Sequence, residues 1–281
     1  MELVFQAVLI GVLQGLTEFI PISSSAHLEL APWIFGWEGD GLIGSLAFDV
    51  FLHLGTLAAL IGYFWRDWVR LARAFFASIA ERRIADDADR RLAWLLALGT
   101  VPAAVIGYLG EDLIDEVFHG GSDPIRLAIA GFLVVGALAL LAADRLGARR
   151  RELHDVGVGT TLAVGFSQAL ALLPGISRSG ATITAALALG LTREAAARFS
   201  FLLATPITLG AGLYGSRDLL SEPHSGTEWI AIASGFGASA VAGALAIGLL
   251  LAWLRRRSVA VFSLYRLAFA ALVVVLVVAG R

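Results

Sequence analysis

The sequence predicts an all-α polytopic membrane protein, with six transmembrane helices plus two re-entrant helix pairs arranged as an inverted-topology repeat. Of the 281 residues, 58% are hydrophobic and 16% charged, and mean hydropathy is +0.81. These values exclude intrinsic disorder and an ordinary soluble domain. Apolar stretches near the roughly 18–20 residues that span a bilayer recur along the chain. Arginine-rich connections alternate with acidic ones. No long polar linker intervenes, so residues 1–281 read as a single membrane domain.

All 21 basic residues are arginines, and they set the orientation. Arg66 to Arg91 carries seven, Asp144 to Val156 four, and Arg255 to Arg266 four. By the positive-inside rule these connections are cytoplasmic. Glu111 to Pro124 and Ser216 to Glu228 hold one arginine between them, Arg217, and several acidic groups, so they face outside. Six crossings then fall at about 46–65, 92–110, 125–143, 195–214, 229–253 and 267–280. Trp65, Trp68, Trp94 and Trp253 would anchor at the inner boundary and Trp229 at the outer one. Leu3 to Ile20 has no basic residue before it, and none follows until Arg66, so it reads as mature structure and not as a signal peptide. Parity then requires residues 1–36, and likewise 157–190, to dip into the membrane and return.

The two dips align without gaps at a constant offset. Gly11-Val-Leu-Gln14 through Ile22-Ser23-Ser24-Ser25-Ala26 matches Gly165-Phe-Ser-Gln168 through Ile176-Ser177-Arg178-Ser179-Gly180. Each motif interrupts an apolar run with proline and small hydroxyls, and in each half one crossing and then a pair of crossings follow. A duplication accounts for this, with repeat 1 at about 1–143 and repeat 2 at about 157–281. The first dip enters from outside and the second from inside, which makes the repeat inverted. Unwound backbone at mid-membrane is tolerated only where it lines a protein-enclosed or watered cavity, so the two breaks are expected to meet there. Two helix N-termini would converge as an anion site, with Arg178 adding a full positive charge.

Chemistry is restricted by what is missing. Without cysteine there is no thiolate nucleophile, disulfide or thiolate-bound metal, and without lysine there is no Schiff base or P-loop lysine. The net charge of −2, with no basic domain, gives no reason to expect nucleic acid. Ionisable groups within the apolar segments cost about 2.5–3.5 kcal/mol each on insertion scales, so Glu18 and Arg178 need partners or a function. Gln14 and Glu18 share a helix face, as do Ser24 and His27, and Arg178 and Thr182. Asp49 and His53 form a weaker set. A hydroxyl, an imidazole and a carboxylate near arginine and helix dipoles suit phosphoryl transfer or phosphoanhydride hydrolysis. A Glu18–Arg178 ion pair that merely joins the halves fits the same residues, as does an alternating-access carrier with a midplane anion site.

Two segments carry a family resemblance: Gln14-Gly-Leu-Thr-Glu18-Phe-Ile-Pro21-Ile-Ser23-Ser24-Ser25-Ala-His27 and Leu173-Pro174-Gly175-Ile-Ser177-Arg178-Ser179-Gly180-Ala-Thr182. They resemble the two signature motifs of the bacterial undecaprenyl-diphosphate phosphatases of the bacitracin-resistance type. Leu54-Gly55-Thr56 and Phe199-Ser-Phe-Leu-Leu-Ala204 with Pro206 look like further blocks, so the similarity covers most of the chain. They do not resemble the type-2 phosphatidic-acid phosphatases, which use a lysine-containing motif and a catalytic histidine pair.

The resemblance implies hydrolysis of undecaprenyl diphosphate to the monophosphate, recycling the lipid carrier of cell-wall synthesis with a divalent cation, Mg2+ or Ca2+. It implies a catalytic core of Glu18, Ser24, His27 and Arg178, with Glu18 also the metal ligand. Gln14, Ser23, Ser25, Gly175, Ser177, Ser179 and Thr182 would bind substrate. Gln14 stands where many members have glutamate, Ala26 where glycine is common, and His53 where many have glutamine. In the expected mechanism Ser24, deprotonated by His27 or Glu18, attacks the terminal phosphorus; an activated water needs the same residues. The alternative function is a carrier that flips polyprenyl phosphate. The expected partners are the lipid diphosphate and the bilayer, in the bacterial inner membrane with both termini outside. Gly235, Gly237, Ala240, Gly243, Ala244 and Gly248 allow close helix packing within the chain or in a homodimer.

Overall fold

In a bilayer every backbone N–H and C=O must find a partner within the protein, so apolar runs of this length fold as helices. The computed structural model describes residues 1–37, 41–84, 87–118, 122–221 and 223–280, with backbone only at 46, 111–116, 118 and 216–221. Parts of both acidic connections, Arg217 among them, and Gly39 in the expected outer turn therefore lie outside the described residues or side chains. The described residues form eleven α-helices and no strand. They are α1 (Glu2–Phe19), α2 (Ser24–Phe35), α3 (Leu46–Tyr63), α4 (Trp65–Ala80), α5 (Ala88–Phe118) and α6 (Asp123–Leu146), then α7 (Val158–Ala169), α8 (Arg178–Ala188), α9 (Arg193–Ser221), α10 (Gly226–Leu254) and α11 (Ala260–Val278). Single 3-10 turns at Leu153–Asp155 and Leu170–Leu172 flank α7.

Six helices are long and apolar enough to cross a membrane: α1, α5, α6, α9, α10 and α11. The predicted crossing at 46–65 is α3, which bends by 79° into α4. Most of the arginine-rich connection expected after Trp65 is thus helix α4, with Arg66, Arg70 and Arg73 exposed beside Trp65. At 12, 12 and 11 residues, α2, α7 and α8 rise only about 16–18 Å, too short for a core of about 30 Å. They fit the short dips read from sequence. The exception is α1, which at 18 residues is long enough to cross by itself. Arg266 also departs from expectation. It lies inside α11, fully buried, and not in the connection before it, whose charge comes from the exposed Arg255, Arg256 and Arg257 at the end of α10.

Small residues set the packing, as expected where lipid gives helices little hydrophobic reason to associate. α1 lies on α10 so closely that a Cβ at Gly11 would overlap the Gly235 carbonyl. α7 lies on α5 in the same way, Gly165 against the Gly99 carbonyl. Gly235 and Gly243 therefore serve contacts within the chain, Gly243 against Phe19 and Ala59. The largest apolar cluster among the described residues includes Phe19, Phe64, Phe199, Phe201, Leu202 and Leu203. Buried polar ties fasten this frame: Ser239 Oγ donates to Leu52 O at 2.8 Å, and Arg193 grips Asp144 through Nε and Nη2.

Candidate active site

The two serine motifs break their helices with the same backbone solution. After Pro21 and Pro174, Ser23 (φ 78°, ψ 94°) and Ser177 (φ 72°, ψ 121°) take positive φ, a region that costs a non-glycine residue about 1–3 kcal/mol. Each then caps the next helix: Ser23 Oγ accepts from Ala26 N at 3.4 Å, and Ser177 Oγ from Gly180 N at 3.1 Å. Each also pairs with the serine two residues on, Ser23 with Ser25 at 3.2 Å and Ser177 with Ser179 at 3.3 Å. Gly175, at φ 103°, permits the second turn; a Cβ there would sit 2.7 Å from Ile129 O.

The first residues of the two capped helices, Ser24 and Arg178, occupy equivalent positions and converge on one carboxylate. Ser24 Oγ donates to Glu18 Oε2 at 2.6 Å, and Arg178 Nη2 donates to Glu18 Oε1. Gln14 Nε2 adds a third bond to Oε2 at 3.2 Å, and His53 Nε2 lies 3.5 Å from the same oxygen. Glu18 is 7% exposed, so a buried negative charge is met by a full positive charge and two further donors. Arg178 Nη1 donates to Thr208 Oγ1 at 2.6 Å, and that hydroxyl spends its own proton on Ala204 O. The guanidinium is thus aimed by α9 at the end of α1.

His27 is elsewhere. A carbonyl can only accept, so its Nδ1 donates to Ser23 O at 2.7 Å, while Nε2 shares a 2.7 Å bond with the Tyr265 hydroxyl and the ring stacks on Phe269. Of the two bases expected for Ser24, His27 or Glu18, this geometry pairs the hydroxyl with Glu18. Thr182 is likewise a tie between helices, donating to Arg178 O at 2.7 Å and meeting Ser200 Oγ at 2.6 Å. The structure therefore brings Gln14, Glu18, Ser24 and Arg178 together. Ser23, Ser25, Gly175, Ser177 and Ser179 form the breaks that carry them.

The family model described as Bacitracin resistance protein BacA matches residues 7–272. The chain belongs to the BacA family. Among its relatives the undecaprenyl-diphosphatase of Thermomicrobium roseum is 46% identical over 277 residues, 98% of each chain. That of Desulforudis audaxviator is 44% identical over 272 residues, 97% of each. That of Alcanivorax borkumensis is 46% identical over 263 residues, 94% of this chain and 95% of the relative.

The divalent cation expected for this chain can be tested against the donors present. Among the described residues no three His, Cys, Asp or Glu side chains gather as a metal cage. Gln14 Oε1, however, is buried without a hydrogen-bond partner, on the amide whose Nε2 meets the Glu18 carboxylate. One carboxylate and one amide oxygen fit a hard cation such as Mg2+, which keeps waters and takes substrate phosphate as ligand.

Sequence reasoning missed Thr208, Tyr265 and Arg266 in this BacA-family chain. Thr208 carries no charge and lies just beyond the quoted Phe199–Pro206 block. Arg266 did leave a signal, a charge set within the apolar run from Val259 to Val278, but it was counted with the connection before it.

Proposed function

We propose that this protein is an undecaprenyl-diphosphate phosphatase: it hydrolyses undecaprenyl diphosphate to the monophosphate and inorganic phosphate, recycling the lipid carrier for cell-wall synthesis. The observation that carries this reading is the convergence of Ser24 and Arg178 on Glu18, made by the two segments that resemble the signature motifs. A nucleophile, its base and a phosphate-binding cation are then one hydrogen-bonded unit.

In the mechanism that the geometry supports, the isoprenoid lies among the apolar helix faces and the diphosphate enters at the breaks. Arg178 turns from Glu18 to the phosphate oxygens, remaining steered by Thr208, because two phosphates offer its fork more negative charge than one carboxylate. The capped N-termini of α2 and α8 add partial positive charge. Glu18 is left with Ser24 as its closest donor and takes the hydroxyl proton as Oγ attacks the terminal phosphorus. Undecaprenyl phosphate leaves with the electrons of the broken P–O bond. Glu18 passes that proton to the departing phosphate oxygen and, a carboxylate again, deprotonates the water that attacks the phosphoserine; inorganic phosphate is released and the proton returns from Glu18 to Ser24 Oγ. A divalent cation held by Glu18 and Gln14 Oε1 would supply further neutralisation of charge on the phosphates. Ser23, Ser25, Ser177 and Ser179 hold the breaks open around the headgroup.

The same proposal places the chain in the inner membrane, with the arginine-rich connections in the cytoplasm and both termini outside. It also takes residues 1–143 and 157–281 as inverted repeats. The exchanged packing supports the duplication, since α1 of the first half leans on α10 of the second and α7 of the second on α5 of the first. The decisive experiment measures phosphate release by purified protein in detergent with undecaprenyl diphosphate, with and without Mg2+, beside Ser24→Ala and Arg178→Ala. Release that both variants lose supports the enzyme. Lipid binding without release by the wild type would overturn it in favour of the carrier.

A further inference from the structure

Arg266 is the bulkiest fully buried side chain in the described structure, and it lies in α11, an otherwise apolar helix. Its Nη2 donates to Gly175 O at 2.7 Å and to Ile176 O at 3.1 Å, the two carbonyls just before Ser177, and its Nε donates to Leu133 O at 3.2 Å. Glycines clear its slot: a Cβ at Gly136 would overlap the guanidinium, and one at Gly180 would lie 2.9 Å from Nη1. The residue before it reaches the other break. Tyr265 OH bonds His27 Nε2 at 2.7 Å, and His27 Nδ1 holds Ser23 O. Consecutive residues on a helix point about 100° apart, so one step of α11 addresses both unwound segments.

We infer that Tyr265 and Arg266 are positioning residues that hold the two helix breaks in register, so that Ser24 and Arg178 meet at Glu18. Both residues act through the backbone: Arg266 fixes the turn that launches α8, and Tyr265, with His27 as its intermediary, fixes the turn that launches α2. Irregular backbone in a membrane leaves carbonyls without helical partners, and Arg266 satisfies two of them, Gly175 O and Ile176 O, while Tyr265 holds the ring that donates to Ser23 O. His27 is then a brace in the first motif and not the base. The catalytic consequence rests on the phosphatase reading; the structural consequence does not.

The test uses Tyr265→Phe, which removes one hydroxyl from a partly exposed ring, and Arg266→Lys, each with two readouts. Amide hydrogen exchange should rise at 22–27 in Tyr265→Phe and at 175–180 in Arg266→Lys, with the other break unchanged in each case. In phosphate-release assays kcat should fall about 10- to 100-fold while KM stays within a few-fold, since a small misplacement of reacting groups costs rate more than affinity. Tyr265→Phe and His27→Gln should not add, because they cut the same chain of contacts. Wild-type exchange at both breaks in Tyr265→Phe would overturn the inference, even if Arg266→Lys fails to fold. So would a rise in KM at unchanged kcat in Arg266→Lys, which would make Arg266 a direct phosphate ligand. An inactive wild type would refute the phosphatase reading, while the exchange data would still decide this one.

Discussion

The two helix breaks share a backbone and differ in chemistry. Both use proline, a serine at positive φ and a capping hydroxyl to start a short helix inside the apolar region. At the first helical position one has Ser24 and the other Arg178; six residues earlier one has Glu18 and the other Leu172. Gln14 and its equivalent Gln168 show the effect of that last difference. Both are buried, but Gln14 donates to Glu18, while neither amide atom of Gln168 has a partner. In the proposed duplication the two halves keep equivalent helix N-termini, and a few differing residues make their charges complementary.

The asymmetry can be broken most severely at the charged positions. Arg178→Ala should lower kcat for phosphate release by about 10²–10³-fold or more, as loss of one preorganised donor to a developing oxyanion does, in steady-state assays with undecaprenyl diphosphate. Stability should separate the pair from its members. Arg178→Met leaves Glu18 buried without its cation and should cost about 3–5 kcal/mol, whereas Glu18→Gln combined with Arg178→Met should recover much of that loss, measured by denaturation in detergent. The glutamines sharpen the contrast. Gln168→Leu should raise stability by about 1–3 kcal/mol with turnover retained, while Gln14→Leu should reduce turnover. Where the halves agree the effects should match: Gly11→Ala and Gly165→Ala should each destabilise by about 1–3 kcal/mol through the same close helix contact, read from thermal unfolding.

Local signals made much of this readable beforehand. Proline and hydroxyls set within apolar runs announced the breaks, and the constant offset between the motifs announced that Ser24 and Arg178 are equivalent. Intramembrane charge announced Glu18 and Arg178, since neither is tolerated there without a partner. The spacing of Ser24 and His27 was misleading: three residues apart puts both on one helix face, but His27 turns to Tyr265, a partner 238 positions away that no local pattern reveals. Arg266 reads as the end of a connection because hydropathy alone cannot separate a charge at a helix end from one inserted among Gly136, Gly175 and Gly180. α4 went unseen because its arginines read as a connection, although Trp65, Val69, Phe76 and Ile79 gave it an apolar side.

The exchanged glycine contacts also impose an order on biosynthesis. When α7 leaves the ribosome, α5, whose Gly99 it must meet, has already been made. α1 has no such host: Gly235 follows Gly11 by more than two hundred residues, so the first broken helix, with Glu18 and its unwound turn, must wait in the membrane until nearly the whole chain is synthesised. A nascent chain truncated before α10 would leave α1 without its Gly235 contact, whereas α7 would meet Gly99 as soon as it appeared. The first half is therefore the portion most exposed to membrane chaperones and quality-control proteases during synthesis.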